Sequence, residues 1–354
     1  MHKLGELPSS EMETVPACPA CGASETSLEF EAIDRMHHLP GRFGVVKCAS
    51  CGLVRLSPRP TAEVISRFYP DESYYSYHGS GNDGRTGFSK RLRDRVRNIA
   101  LDSFGYKVEP LGLLDKAIRP VVMTVLGSRV PYGIGKRFPK FVPNGKVLDI
   151  GCGNGTFLSL LKGVGWEVFG IELSAKAKEA AKEQYDIDIF CGDITDAPFE
   201  TESFDHIHIS HALEHFYDPF TLLVKVLELV KPNGTVYIEV PNAESHNAKA
   251  AGRYWFHWDA PRHLFGFSPR TLADAVFNSG LEVAKMETLL TDLPDLEDVY
   301  RAEDAEGAML TDRSFLDRRM SLSLLPRRMK ARLAHVFDRQ SGDFICCWAR
   351  RRNG

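Results

Sequence analysis

The segment that most limits how this chain can fold is Val147-Leu148-Asp149-Ile150-Gly151-Cys152-Gly153-Asn154-Gly155-Thr156-Phe157-Leu158. An apolar run breaks into glycines at alternate positions and resumes at once as a helical pattern. Glycine tolerates the left-handed backbone a tight turn needs, and it lets backbone N–H groups approach a ligand at a helix N-terminus. Strand, turn and helix are therefore predicted in immediate succession. A dinucleotide fingerprint is G-x-G-x-x-G/A, built to meet a pyrophosphate. Here the spacing is G-x-G-x-G, with Thr156 where the third Gly or Ala would fall. Asp149 would repel a diphosphate but suits an ammonium group. The turn thus disfavours NAD and favours a cofactor that carries an amino acid.

From Gly145 onward, apolar runs alternate with helical stretches, which predicts a parallel α/β sheet. The expected strands are 146–150, 167–172, 187–191, 204–210, 235–240, 281–290 and 344–350, with helices over 174–184, 219–230 and 269–279. Ser268 is the expected N-cap of the last helix, followed by Pro269 at its first position. These strands outline a complete doubly wound domain, with an insert at 291–340 before the last strand.

The ordered stations resemble class I S-adenosylmethionine (SAM)-dependent methyltransferases. The glycine turn resembles their motif I. Gly170-Ile171-Glu172 resembles the end of the second strand, where the family's carboxylate binds both ribose hydroxyls, as two acceptor oxygens can. Cys191-Gly192-Asp193-Ile194 resembles the third-strand acidic station at the adenine amino group. Residues 204–210 resemble the fourth strand, and Leu229–Gly234 the turn before the fifth. The resemblance covers 144–290 and resumes at 341–351. It implies a Rossmann-like, seven-stranded α/β methyltransferase sheet and SAM as cofactor. The contacts it implies are Asp149, Gly151, Cys152, Gly153, Asn154, Glu172, Leu173, Asp193, Ile194 and Ser210.

Four of the eight cysteines form two pairs, Cys18-Pro-Ala-Cys21-Gly22 and Cys48-Ala-Ser-Cys51-Gly52, with 26 residues between them. Thiolates two residues apart can bind one ion from a single tight turn, and two such turns complete a tetrahedral zinc site. Four thiolate ligands close the site, so the expected zinc at Cys18, Cys21, Cys48 and Cys51 is structural. A redox dithiol, or two unrelated pairs, is the alternative. The expected organisation is a loose leader at 1–14, a zinc-binding ribbon at 15–60, a helical linker or lid at 61–143 and the methyltransferase domain at 144–354. Thr61–Tyr69 reads as a short capped helix. Tyr74, Tyr75 and Tyr77 read as a surface loop or lid.

SAM already carries a good leaving group, so the protein must align the acceptor and, for a hydroxyl, take its proton. His211-Ala212-Leu213-Glu214-His215 lies at the end of the fourth strand, where ligands meet such sheets. The resemblance makes His215 the expected general base, with Glu214 orienting it or touching substrate and His211 beside them. Three readings compete. HALEH fits the inverted zinc-protease motif, which needs a long helix. Glu214 and His215 are otherwise only partners of the helix start, or they help hold a divalent ion that polarises the acceptor. Trp255–Phe265 also resembles the family's substrate side. There His263 and Arg262 are expected substrate contacts, His257 less so, and the aromatics suit a sugar ring.

Formal charge is −3 from 44 Lys+Arg and 47 Asp+Glu, which argues against a dedicated nucleic-acid partner. No run of about 18 apolar residues exists, and the N-terminus lacks a signal-peptide core, so a cytoplasmic protein is expected. The insert starts acidic and ends basic and amphipathic over 313–333. This reads as a solvated helix, with peripheral membrane contact as the alternative. The ribbon followed by Cys51–Pro60 resembles a bacterial methyltransferase subgroup of surface-glycan, deoxysugar and natural-product pathways. That implies a hydroxyl of a sugar, nucleotide-sugar or glycosylated intermediate as acceptor, and a homodimer is an open option. Sugar C-methylation, ribosomal-RNA methylation and a non-catalytic SAM-binding module are the rivals.

Overall fold

The computed structural model describes residues 6–70, 88–108, 110–125, 137–290, 300–301, 304 and 325–352. In chain order the elements are β1 (Met12–Glu13), β2 (Thr26–Ala32), β3 (Phe43–Cys48), β4 (Val54–Leu56), β5 (Arg59–Pro60), α1 (Phe88–Ser103) and α2 (Leu113–Val125). Then follow β6 (Lys146–Ile150), α3 (Thr156–Lys162), β7 (Glu167–Glu172), α4 (Ala175–Tyr185), β8 (Phe190–Cys191) and β9 (Phe204–Ser210). The last are α5 (Pro219–Leu229), β10 (Val230–Pro241), α6 (His246–Ala251), β11 (Phe265–Gly266), α7 (Pro269–Asn278), β12 (Leu281–Leu289), α8 (Leu325–Phe337) and β13 (Phe344–Arg351). Tyr74, Tyr75, Tyr77 and most of the 291–324 insert lie outside the described residues.

The main sheet has seven strands in the order β12-β13-β10-β9-β6-β7-β8. Strand β6 pairs in parallel with β7 and β9, and β7 with β8, whereas β12 and β13 are antiparallel. The alternating pattern predicts a parallel α/β sheet, and the sheet is mostly parallel with the antiparallel β12–β13 pair at one edge. Two boundaries differ. Ile187 and Ile189 are buried against Cys152, Leu158 and Ala181, yet only Phe190 and Cys191 pair with β7, because the strand lies at the sheet's edge. The segment expected as a turn before the fifth strand is already extended from Val230.

The chain divides into two compact units: Met1–Glu72 with Ser210–Leu227 and Ile238–Gly354, and Ser73–Ile209 with Glu228–Tyr237. In the second unit, Ala100 and Leu101 of α1 are buried with Val147, Leu161 and Trp166. The polar tips in that core are satisfied in series: Trp166 Nε1 donates to Tyr106 Oη (2.8 Å), which donates to the Pro139 carbonyl (3.0 Å). An unmade bond there would cost about 1–3 kcal/mol.

In the first unit, β2 and β3 form an antiparallel hairpin between the two cysteine pairs, and β4 adds to β3. The four-stranded sheet is completed by β11, which pairs with β4 some 200 residues earlier in the chain (Phe265 opposite Arg55). The ribbon thus shares a sheet with the strand that follows His263. The loose leader expected at 1–14 is ordered at its end, where β1 pairs with β5. The helix expected at 61–69 shrinks to a 3-10 turn at Ile65–Phe68, which buries Phe68 against Phe43.

Candidate active site

In the second unit the turn after β6 has its glycines left-handed, with φ of +75° at Gly151, +52° at Gly153 and +75° at Gly155. A Cβ on Gly170 of the adjacent β7 would come within 2.6 Å of the Cys152 sulfur, so that position is closed to side chains. The turn's amides are not offered to a ligand as expected. The N–H groups of Gly151 and Cys152 donate to the Ile171 carbonyl (2.9 and 3.2 Å), and that of Gly153 to Glu172 Oε2 (3.0 Å). Asn154 Oδ1 accepts from the Thr156 N–H and hydroxyl, capping α3. A phosphate cradle needs those donors free.

Two carboxylates remain at the turn. Asp149 is buried, and burial together with the charge of Glu172 lifts its carboxyl well above the usual range. An ammonium group placed beside it would favour the charged form. Glu172 accepts from Leu173 and Ser174 through Oε1, leaving an open acceptor position on Oε2 for a hydroxyl. Leu173 is 71% exposed, an apolar side chain open next to that carboxylate. Asp193 is exposed and caps a 3-10 turn through Thr195, and Ile194 is buried beneath it. This donor set fits an ammonium-bearing, ribose-bearing cofactor such as SAM and not a dinucleotide.

The first unit gathers the histidines. Leu213–His215 is a single 3-10 turn, which removes the helix a zinc-protease motif requires. The helix-start reading also fails, because α5 is capped by Asp218, which accepts from the Phe220 and Thr221 amides. Ser210 ends β9, and His211 follows at φ +53°, a strained value for a non-glycine residue that its surroundings must hold. Glu239 does so: its carbonyl accepts the His211 N–H (2.8 Å) and its carboxylate meets Nε2 (3.0 Å). Burial opposes charge on His211, but Glu214 and Glu239 overcome it and lift its pKa to about 9.

His215 Nδ1 lies 3.1 Å from the Arg262 carbonyl and 2.9 Å from Tyr69 Oη. The carbonyl can only accept, so a hydrogen bond to it is made by the tautomer with its proton on Nδ1 and its lone pair on Nε2, whereas the Tyr69 hydroxyl can donate or accept. Burial, then the neighbouring His263, lowers the His215 pKa to about 4, so the ring is neutral at pH 7. His263 is fixed the same way, with Nδ1 2.8 Å from the His257 carbonyl and Nε2 3.9 Å from Glu214. Glu214 is fully buried, and its carboxylate has no hydrogen bond within 3.5 Å, with His211 Nδ1 standing 3.6 Å from Oε1. Burial would raise its pKa, but the three surrounding histidines pull it down. Ligand atoms of Glu214, His215 and His263 lie within 4.8 Å of one another, close enough to share a proton or a divalent cation.

Arg262 is not the substrate contact it was expected to be. It is 1% exposed and bonds Asp34 (2.9 Å), Asp259 and the Phe68 carbonyl (3.1 Å). It thereby fixes the peptide whose carbonyl orients His215. His257 is likewise enclosed, its ring edge-on to Trp255 and Phe344. Tyr69, Asp34 and Glu239 were missed. Only Glu239 left a signal, as one acid inside the apolar strand Val236–Val240.

In the ribbon, Cys18 and Cys51 sulfurs are 3.5 Å apart and those of Cys21 and Cys48 3.6 Å, with all four within 4.8 Å of one another. All four are free thiols, and Gly22 and Gly52 are left-handed at +75° and +77°.

A model of the methyltransferase domain matches residues 128–286. The ubiquinone biosynthesis O-methyltransferase of Thiobacillus denitrificans is 32% identical over 171 residues, 45% of this chain and 72% of that protein. The malonyl-(acyl-carrier protein) O-methyltransferase of Erwinia billingiae is 30% identical over 168 residues, 46% of this chain and 64% of that protein. A solved SAM-dependent methyltransferase from Archaeoglobus fulgidus is 21% identical, covering 68% of this chain and 98% of its own, with a TM-score of 0.42. On the identity to the Thiobacillus denitrificans relative and the share of it that is covered, the chain belongs to the class I SAM-dependent methyltransferases.

Proposed function

We propose that the enzyme methylates a hydroxyl of a small-molecule acceptor, a sugar, nucleotide-sugar or glycosylated intermediate, with His215 as general base. The observation that carries this is the placement of His215 Nδ1 3.1 Å from the Arg262 carbonyl, which favours the tautomer with its proton on Nδ1 and Nε2 able to accept one. Bound SAM supplies a methyl group on a sulfonium that leaves without protonation. His215 Nε2 takes the acceptor's hydroxyl proton as the oxygen–methyl bond forms, and buried Glu214 balances the resulting imidazolium. The first two relatives described above are named as O-methyltransferases, which favours oxygen over carbon as the methylated atom.

The test is methyl transfer from labelled SAM into nucleotide-sugar, lipid, quinone-precursor and RNA pools of a bacterial lysate, beside His215→Gln. Label in the sugar pool that the variant loses supports the reading. Label in the quinone or RNA pool overturns the acceptor class. Dependence of that label on added Mg²⁺ after chelation would instead favour a divalent cation at Glu214, His215 and His263, the second reading that the unbonded Glu214 oxygens support.

The ribbon is proposed to hold a structural zinc. A tetrahedron with Zn–S of about 2.3 Å separates its sulfurs by about 3.7 Å, close to the two spacings found here. One zinc per chain by atomic emission, lost in Cys48→Ser with a lowered Tm, is the expected result. Zinc-free protein with an unchanged melt would refute it.

A further inference from the structure

The chain that leaves the ribbon ends its 3-10 turn inside the histidine cluster. Phe68 is 2% exposed and packs edge-on against Phe43, with ring centroids 5.8 Å apart. Arg262 Nη1 donates to the Phe68 carbonyl (3.1 Å), and the Tyr69 N–H donates to the Ser66 carbonyl (3.1 Å). The backbone at 68–69 is therefore held by packing, by an ionic brace and by its own turn. It brings the Tyr69 hydroxyl to 2.9 Å from His215 Nδ1, within the same compact unit.

The Arg262 carbonyl reaches the same nitrogen at 3.1 Å. One proton on Nδ1 can serve both oxygens in a three-centre bond, with the phenol accepting through its oxygen. Without that proton Nδ1 could accept from the phenol, but its lone pair would then also face the carbonyl oxygen. The other charged and titratable groups facing the ring are Glu214, His263, Asp259 and the Arg262 side chain. When a proton arrives at Nε2 the ring becomes a cation, and hydrogen bonds from Nδ1 become charge-assisted, roughly twice as strong as neutral ones. The phenol oxygen thus holds the reacting ring more tightly than the resting one, which lowers the barrier and leaves binding alone.

We propose that Tyr69 is a positioning residue for methyl transfer: its hydroxyl shares the Nδ1 proton with the Arg262 carbonyl, keeps Nε2 available to the acceptor and steadies the imidazolium as it forms. This rests on the reading of His215 as general base. The acceptor's hydroxyl proton ends on Nε2, and its oxygen gains the methyl carbon as the sulfur–methyl bond breaks with the electron pair left on sulfur. The Nδ1 proton stays in place.

Tyr69→Phe keeps the ring, whose centroid lies 6.1 Å from that of His215, and removes only the hydroxyl. The experiment is NMR of the full chain carrying isotope-labelled histidine, with His215→Gln assigning the resonances. Beside it, transfer from labelled SAM is measured over a concentration series of the lysate pool that takes label, together with SAM titration. Wild-type His215 is expected with its proton on Nδ1. In Tyr69→Phe that proton's resonance should move and the saturating rate fall about three- to tenfold, with SAM affinity unchanged. An unmoved resonance and an unchanged rate in the folded variant, while His215→Gln loses transfer, overturn the role of Tyr69 alone. So does a loss that vanishes at high acceptor concentration, which marks a purely structural residue. Full transfer by His215→Gln overturns the base reading and the Tyr69 role with it. Should Tyr69→Phe misfold, the wild-type spectrum still decides: a protonated Nδ1 supports the proposal, and an unprotonated one means that the phenol donates, which overturns it.

Discussion

The glycine turn after β6 and the histidine cluster after β9 solve the same problem, holding a ligand group in place, by opposite means. The turn is contiguous: residues 149 to 155 follow one another, and the partners Ile171 and Glu172 are adjacent at the end of the neighbouring strand. The cluster is dispersed. Arg262 and its partner Asp34 are 228 residues apart, Tyr69 and His257 each supply one contact, and Glu239 supplies two. In the turn, glycine is irreplaceable but few side chains matter. In the cluster, buried charges are balanced against one another, so removing one exposes the rest.

That contrast can be broken experimentally. The largest effect is expected from His215→Gln, which should lower kcat about 10²–10⁴-fold while SAM affinity stays unchanged, read by steady-state kinetics and SAM titration. The same kinetics should show the wild-type rate flat through pH 6.5 and falling only towards about 4, because the His215 base form persists down to that pH.

Next is Arg262→Ala, which strands the buried Asp34 and Asp259 and should cost about 3–5 kcal/mol in denaturant unfolding. A loss no larger than that of a surface substitution would sink the view of Arg262 as the keystone of the cluster.

Glu172→Gln sets an amide N–H₂ against the N–H groups of Gly153 or Leu173. It should weaken SAM binding about tenfold and cost about 1–3 kcal/mol in unfolding free energy.

The smallest effect belongs to the second unit's interior. Buried His206 has its pKa lowered to about 3, so the folded state resists its protonation. The unfolded chain protonates near 6.5, and stability present above that pH should be lost as pH falls towards 3. In His206→Phe the acid limb of the Tm profile should be shallower.

Much of the fold was legible along the chain. The bounds of β6, β7 and β9 match those expected from apolar runs, and the Ser268–Thr271 capping box opens α7 at Pro269 as its residues predict. These features depend on neighbours within a few residues. Three local expectations did not hold. The turn's amides point inward to Ile171, the 61–69 helix is one 3-10 turn, and 12–13 is a strand, each because a distant strand or side chain competes for the same groups.

By itself the sequence determined the glycine turn, the two carboxylates that suit an ammonium and a ribose, and the paired cysteines. All are set by backbone geometry or by spacing over a few residues. Only the tertiary structure decided that Arg262 is a buried brace, that Glu239 holds His211 and that His215 Nδ1 faces the Arg262 carbonyl. It also joined the ribbon's sheet to β11 beside His263. The physical reason is that burial and Coulomb pairing depend on distance in space. No periodicity in a single chain records that Asp34 and Arg262 will share one desolvated site.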